Sequence, residues 1–223
     1  MKWNMKRRLS ITLFLTLFLT TVMSGFLGCG GPVKYPNYYA LHLPPPPDPP
    51  AAGNVNAIVA VRQFRSPTYL RQGAIVYRTS PEQIGFYNYH RWAVDPRDFV
   101  TESVADHLRA AGNFSQVKFD DGRPDADYVL SGRLEDLEEI DYEGGVKVHV
   151  AISAQMMKVA TGTIVWTNSV SEIGTVTQRQ VPAVVSAMNQ TMGRAIDKLL
   201  NPAPAPVSTK SSTGEVNSPT GPR

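Results

Sequence analysis

Val146-Lys147-Val148-His149-Val150-Ala151-Ile152-Ser153-Ala154-Gln155-Met156 alternates apolar and polar side chains almost without fault. A β-strand sends successive side chains to opposite faces. Val146, Val148, Val150, Ile152, Ala154 and Met156 therefore line a core-facing side, and Lys147, His149, Ser153 and Gln155 a wet one. Thr161-Gly162 then turns the chain into a β-branched run from Thr163 to Ser171, so the two strands form an antiparallel hairpin.

Working outward, two segments carry the helical period. Asp95-Pro96 offers an N-cap acid followed by proline at the first helical position, and Phe99, Val100, Ser103, Val104, His107, Leu108 and Ala111 fall on one stripe that Gly112-Asn113 stops. His107 on that stripe reads as a packed or boundary side chain. Near Pro182 a second helix opens, placing Val184, Val185, Met188, Met192, Ala195, Ile196 and Leu199 on one side as core filling. Further strands are expected at Val55 to Phe64 (buried on both faces), Ala74 to Tyr77, Gln83 to Asn88, Ser115 to Phe119, and Tyr128 to Leu134 running on towards Ile140. An edge strand is expected at Tyr38 to Leu43. The fold class is α/β: one domain, residues 35–201, with a mixed sheet, an antiparallel hairpin and two main amphipathic helices packed on it.

The two ends read differently. Residues 1–8 carry four cations, and Leu9 to Gly28 is a chargeless, largely apolar run ending in Ser24-Gly25-Phe26-Leu27-Gly28-Cys29. This is the order of a secretory signal, and its end resembles the lipobox at which a bacterial lipoprotein is cleaved and its cysteine acylated. Residues 1–28 are thus expected to be a signal peptide, Cys29 the lipidated residue, and 29–34 a tether. A plain transmembrane anchor is the other reading of about 20 apolar residues. Against it, six Ser or Thr residues dilute the run, and the chain's single cysteine falls at the cleavage point. Gly30 rather than Asp follows Cys29, which points to the outer membrane, facing the periplasm. Pro44-Pro-Pro-Pro-Asp-Pro-Pro50 can join neither sheet nor helix and reads as a stiff loop of roughly 20 Å. Residues 202–223, rich in Pro, Ser, Thr and Gly, are expected to be disordered.

Charge excludes one class of partner. Four of the 22 basic side chains precede Cys29 while all 19 acids follow it, so the mature chain is close to neutral, and no nucleic acid is expected. Catalytic patterns are missing as well: there is no phosphate-cradling glycine motif and no Gly-x-Ser-x-Gly elbow. His42, His90, His107 and His149 show no metal-ligand spacing. Neither enzyme activity, nor a cofactor, nor a metal is expected. Glu135, Asp136, Glu138, Glu139, Asp141 and Glu143 form an acidic cluster that reads as a solvated hairpin end, with Ca²⁺ or a basic partner surface as the functional alternative. Between Ser66 and Trp92 the aromatic residues Tyr69, Tyr77, Phe86, Tyr87, Tyr89 and Trp92 interleave with Arg71, Arg78 and Arg91. Such a surface suits a protein interface or lipid headgroups. The same rings would equally close sheet edges with their polar ends in water.

Pro67-x-Tyr69-Leu70-Arg71-x-x-x-Ile75-Val76-x-Arg78, then Tyr89-His90-Arg91-Trp92-Ala93 and the helix after it, resemble the ABC-type transport auxiliary lipoproteins, the paraquat-inducible protein C-like group. Tyr39-x-Leu41 and the turn before Ile164-Val165-Trp166 fit the same pattern, from about Tyr35 to Asn201. Where the family commonly has an acid and then an arginine after Tyr-Leu, this chain has Arg71-Gln72. The resemblance implies a non-catalytic lipoprotein of an ABC/MCE-type system that moves phospholipid or other hydrophobic solutes across the envelope. It implies as partners the membrane through the N-terminal lipid, a protein with mammalian-cell-entry (MCE) domains, and further copies of the chain. On it, Tyr69, Arg71, Arg78, Tyr89, His90, Arg91 and Trp92 are the candidate partner-binding residues. An envelope scaffold or activator of a cell-wall synthase or secretion assembly is the alternative, since small tethered α/β domains serve there too.

Overall fold

The computed structural model describes residues 33–44, 46, 56–142 and 144–206. The expected signal peptide, Cys29 and its immediate tether, most of the proline run and the tail from residue 207 lie outside the described residues. In chain order the elements are β1 (Asn37–Tyr39), β2 (Ile58–Val61), a 3-10 turn (Thr68–Gln72), β3 (Ala74–Ser80), β4 (Gln83–Trp92), α1 (Pro96–Ala111), β5 (Gln116–Phe119), β6 (Tyr128–Ile140), β7 (Lys147–Lys158), β8 (Thr163–Thr175) and α2 (Val181–Leu199).

Among the described residues the eight strands form one mixed sheet centred on β6. On one side β6 runs antiparallel to β7 along its whole length, from Tyr128↔Lys158 to Ile140↔Lys147, and β8 follows antiparallel outside β7. The other side of β6 is shared. β2 pairs parallel with its first residues (Val59↔Tyr128, Val61↔Leu130), Arg65 bridges Arg133, and β3 pairs parallel with its last (Val76↔Glu138, Arg78↔Ile140). β2 and β3 thus lie end to end along one strand, and residues 66–73 are looped out between them. β5 lies parallel outside β2, while β4 pairs antiparallel with β3 and β1 parallel with β4.

Both helices cover one face. The side of β7 expected to face the core does so: Val148, Val150, Ile152 and Met156 are fully buried, together with Leu130, Leu134 and Leu137 of β6 and Val184, Met188, Met192 and Ile196 of α2. α1 starts as its sequence demands, the Asp95 carboxylate accepting from the Arg97 N–H at 2.9 Å, and ends with Gly112 in the left-handed region at φ 66°. Val100, Val104 and Leu108 form its buried stripe. His107 sits at the seam between the helices, Nδ1 at 2.7 Å from the Ser103 carbonyl and Nε2 at 3.4 Å from Asp197 of α2.

Several boundaries differ from expectation for definable reasons. β1 ends at Tyr39 because the following residues turn to the helices: Leu41 enters the core, and the His42 N–H donates to Asn189 Oδ1 of α2 at 2.8 Å. β2 ends at Val61, after which Arg62 and Arg65 donate singly to the carbonyls of Leu130 and Gly132. β3, β4 and β8 are longer than their apolar cores, each extended by pairing to a long neighbour. Residues 202–206, assigned from sequence to a disordered tail, include a buried Pro204 whose carbonyl accepts from Asn113 Nδ2 at 3.1 Å.

The join of β2 to the rest relies on Phe64, buried at 1% exposure with its N–H donating to Thr101 Oγ1 of α1 at 3.0 Å. Its ring lies against Gly132 of β6. A β-carbon at that position stands 2.5 Å from Phe64 Cζ and 2.7 Å from the Ser153 carbonyl oxygen, so one of them must move. Gly132→Ala is expected to cost about 1–3 kcal/mol through overpacking. Urea unfolding of the two proteins measures it, and equal midpoints would show that the ring yields freely.

Candidate functional site

The alternation of β6 slips once. Leu130, Gly132 and Leu134 face the helices opposite Met156, Ala154 and Ile152, and a bulge between Leu134 and Asp136 then brings Leu137 and Glu139 to that face, opposite Val150 and Val148. Asp136, Glu138 and Ile140 consequently share the helix-free face. The expectation of a solvated hairpin end is corrected here, because Glu138 is 3% exposed and Glu139 5%. Covering side chains come from the looped-out turn and the β3–β4 hairpin. That is where the aromatic and arginine segment goes.

On the helix-free face, Arg78 Nε donates to Glu138 Oε1 at 2.6 Å, and its Nη1 donates to the Pro81 carbonyl at 2.8 Å. Tyr69, brought over the sheet by the turn, donates to Asp136 Oδ1 at 3.2 Å. His149 of β7 pairs directly across from Glu138, with Nδ1 3.9 Å from Asp136 Oδ2 and Nε2 2.8 Å from Ser171 Oγ. Burial raises the Glu138 carboxyl above the usual carboxylate range against the pull of Arg78. Burial, then the Asp136 and Glu138 charges, pushes the Tyr69 hydroxyl up to about 12, so it remains a donor.

On the helix side, Tyr87 donates to Glu139 Oε2 at 2.8 Å, and its ring lies 5.0 Å from that of Tyr77. Burial first, then the bond to Glu139, raises the Tyr87 hydroxyl. His90 meets the edge of Tyr87 at 5.7 Å between centroids and bonds through Nδ1 to the Tyr39 hydroxyl of β1 at 2.9 Å. Between Ala74↔Arg91 and Val76↔Phe86, β3 advances two residues while β4 advances five. The surplus forms the bulge that carries Tyr87, Tyr89 and His90.

The seven residues singled out from sequence therefore reach three places. Tyr69 and Arg78 hold the acids. Tyr89, 39% exposed, and His90 lie on the β4 bulge. Arg71, Arg91 and Trp92 meet where the turn touches the end of β4: Arg91 Nη2 donates to the Gln72 carbonyl at 2.5 Å, and Trp92 is buried at 6% exposure. A hollow of about 180 Å³ opens there between Leu70, Arg71, Gly73, Trp92 and Val94. Arg71 and Val94 form its exposed rim. Tyr87, Glu138, Glu139 and His149 are not among the seven candidate partner-binding residues. The shifted spacing of Leu130, Leu134 and Leu137 is the signal that would have turned Glu139 inward.

The model of the ABC-type transport auxiliary lipoprotein component matches residues 39–199. The chain belongs to this family. It is an envelope lipoprotein that serves as an auxiliary component of ABC-type transport. The matched span opens in β1 and closes at the end of α2, so it includes the turn, the β4 bulge and the buried acids of β6. Among solved structures, a protein of Xanthomonas campestris is 18% identical over 74% of this chain and 92% of that one, with a TM-score of 0.64. An uncharacterised protein is 17% identical over 76% and 99%, with a TM-score of 0.58. These likenesses carry the fold. Comparison with curated protein sequences gives no significant match.

Glu139 supplies a pH test. Burial, with the Asp141 charge adding to it, raises its carboxyl above the ordinary carboxylate value, against the Tyr87 bond and the Arg179 charge. The folded state thus holds the proton more tightly than the unfolded one, which favours folding at low pH. That contribution is lost as pH rises from the ordinary carboxylate value through the raised one, leaving a buried charge that costs stability at neutral pH. Glu139→Gln keeps an acceptor for Tyr87 and removes the charge. Its melting temperature is expected to exceed the parent's at pH 7, with the gap closing as pH falls towards 4.5 in a series of thermal melts. A variant less stable than the parent at pH 7 would show the charge to be compensated.

Proposed function

We propose that this lipoprotein is a non-catalytic auxiliary subunit of an ABC/MCE-type system that moves phospholipid or other hydrophobic solutes across the cell envelope. Acylated at Cys29, it is held at the outer membrane facing the periplasm, where it docks an MCE-domain partner. The family match over residues 39–199 carries this reading. The leader ending at the chain's single cysteine supports the anchorage. Two or three acyl chains hold to a bilayer far more firmly than one, each buried CH₂ contributing about 0.8 kcal/mol.

For docking, the exposed part of the aromatic and arginine segment is proposed: the Arg71 and Val94 rim with its hollow, Arg91 beside it, and Tyr89 on the bulge. An exposed guanidinium over an apolar floor and an exposed phenol match the make-up of interface anchors. Tyr69, Arg78, His90 and Trp92 support that surface from beneath by the contacts described above.

Two measurements test the reading. Cys29→Ser is expected to move the protein from the membrane fraction to the soluble fraction and to abolish labelling by a fatty-acid probe. Unchanged fractionation would remove the anchor. Arg71→Glu combined with Tyr89→Ala alters exposed side chains only, so the melting temperature should hold within a few degrees. Affinity purification from solubilised envelopes should nonetheless lose the MCE-domain partner that the parent recovers. Recovery of no such partner by the parent would defeat the transport assignment, and undiminished recovery by the variant would defeat the docking surface.

A further inference from the structure

We propose that Asp136, Glu138 and His149 form a binding site for a divalent transition-metal ion of the zinc class. The strand pattern puts them together: Asp136 and Glu138 stand two apart on one face of β6, and His149 is the direct cross-strand partner of Glu138 on β7. One ligand atom from each lies within 4.8 Å of the other two. Tetrahedral zinc with ligands at about 2.0–2.1 Å needs them roughly 3.3 Å apart. Asp136 and His149 are half-buried, and modest side-chain rotation closes the difference.

A separate observation points to a missing ligand. Glu138 Oε2 is buried without a hydrogen-bond partner, on a side chain only 4% exposed. Buried polar atoms in native folds nearly always have a partner. The carboxylate's other oxygen is committed to Arg78.

The neighbours orient the set as outer groups do around metals. Tyr69 takes Asp136 Oδ1, Arg78 takes Glu138 Oε1 and Ser171 Oγ takes His149 Nε2. An imidazole whose Nε2–H donates to Ser171 keeps its lone pair on Nδ1, the atom nearer Asp136. One carboxylate charge remains after Arg78 is counted, which a dication complements. An imidazole with two carboxylates suits zinc and its neighbours. Ca²⁺ requires six to eight oxygen ligands, more than this group offers. The exposed edges of Asp136 and His149 give an ion its entry and leave a further coordination position to solvent. An ion there would tie β6 to β7 and, through Asp136 and Tyr69, fasten the turn that bears Arg71. The inference stands on these residues and is independent of the transport reading.

The test uses the full lipidated chain in detergent, stripped with EDTA and titrated with Zn²⁺ by calorimetry, with Co²⁺ as a spectroscopic probe. One saturable Zn²⁺ site per chain is expected, unaffected by millimolar Ca²⁺, with a raised melting temperature and Co²⁺ d–d bands. His149→Ala should weaken binding by roughly 100-fold or more, comparable with or beyond the loss of an outer-shell partner. His149→Gln serves where the alanine variant is poorly folded. His107→Ala, which alters a histidine on the other face, should bind as the parent does. Absence of saturable binding, which is the outcome if a protonated His149 itself bridges the carboxylates, overturns the proposal. So does equal affinity in the folded His149 variant, or loss of the site in His107→Ala.

Discussion

Every peptide group of β6 needs a partner on both sides of the strand, and the rest of the sheet is arranged around that requirement. A buried, unpaired backbone N–H or C=O costs about as much as a lost hydrogen bond. Twelve of the thirteen residues of β6 pair with β7, Glu135 being passed over at the bulge. Opposite, no single strand runs the distance. β2, the isolated Arg65 bridge and β3 divide it, with Leu134 N–H donating to the Arg65 carbonyl at 2.8 Å in the gap. Phe64 over Gly132 seals the same gap from the helix side.

The bulge after Leu134 explains the unusual chemistry at the far end of the strand. It admits one extra residue and so exchanges the faces of all that follow, putting a carboxylate among helix-facing valines and two more on the opposite face. Desolvation of a carboxylate is expensive. Each buried acid is met by a dedicated group, Arg78 for Glu138 and Tyr87 for Glu139, delivered by the same β3–β4 hairpin. A buried carboxylate left without its donor is costly, so polar groups as well as apolar ones bind the hairpin to β6.

What the sequence disclosed follows from the range over which each signal acts. Asp95-Pro96 and Gly112 report on their own helix ends, and the alternation of residues 146–156 reports on its own two faces; both are observed. The exact extents of β3, β4 and β8 depend on the length of a neighbour, which local composition does not carry. Glu138 and Glu139 read as solvated because acids in a row ordinarily are. Their burial depends on Arg78 and Tyr87, about 50 to 60 residues away in the chain. Trp92 stands out in the sequence as an interface ring, yet it fills the floor beneath Arg71. His149 belonged to the wet face as expected, but its register opposite Glu138 is set by the hairpin turn and the bulge together.

The excursion at 66–73 leaves and rejoins the flank of a single strand, so both of its ends are pinned while its middle bears no ladder hydrogen bonds. Loops anchored in this way accept changes of length and composition at small entropic cost. Selection is therefore free to redraw Thr68, Arg71 and Gln72 for a new neighbour while strand registration stays put. A lineage built on this scaffold can change acquaintances faster than it changes shape.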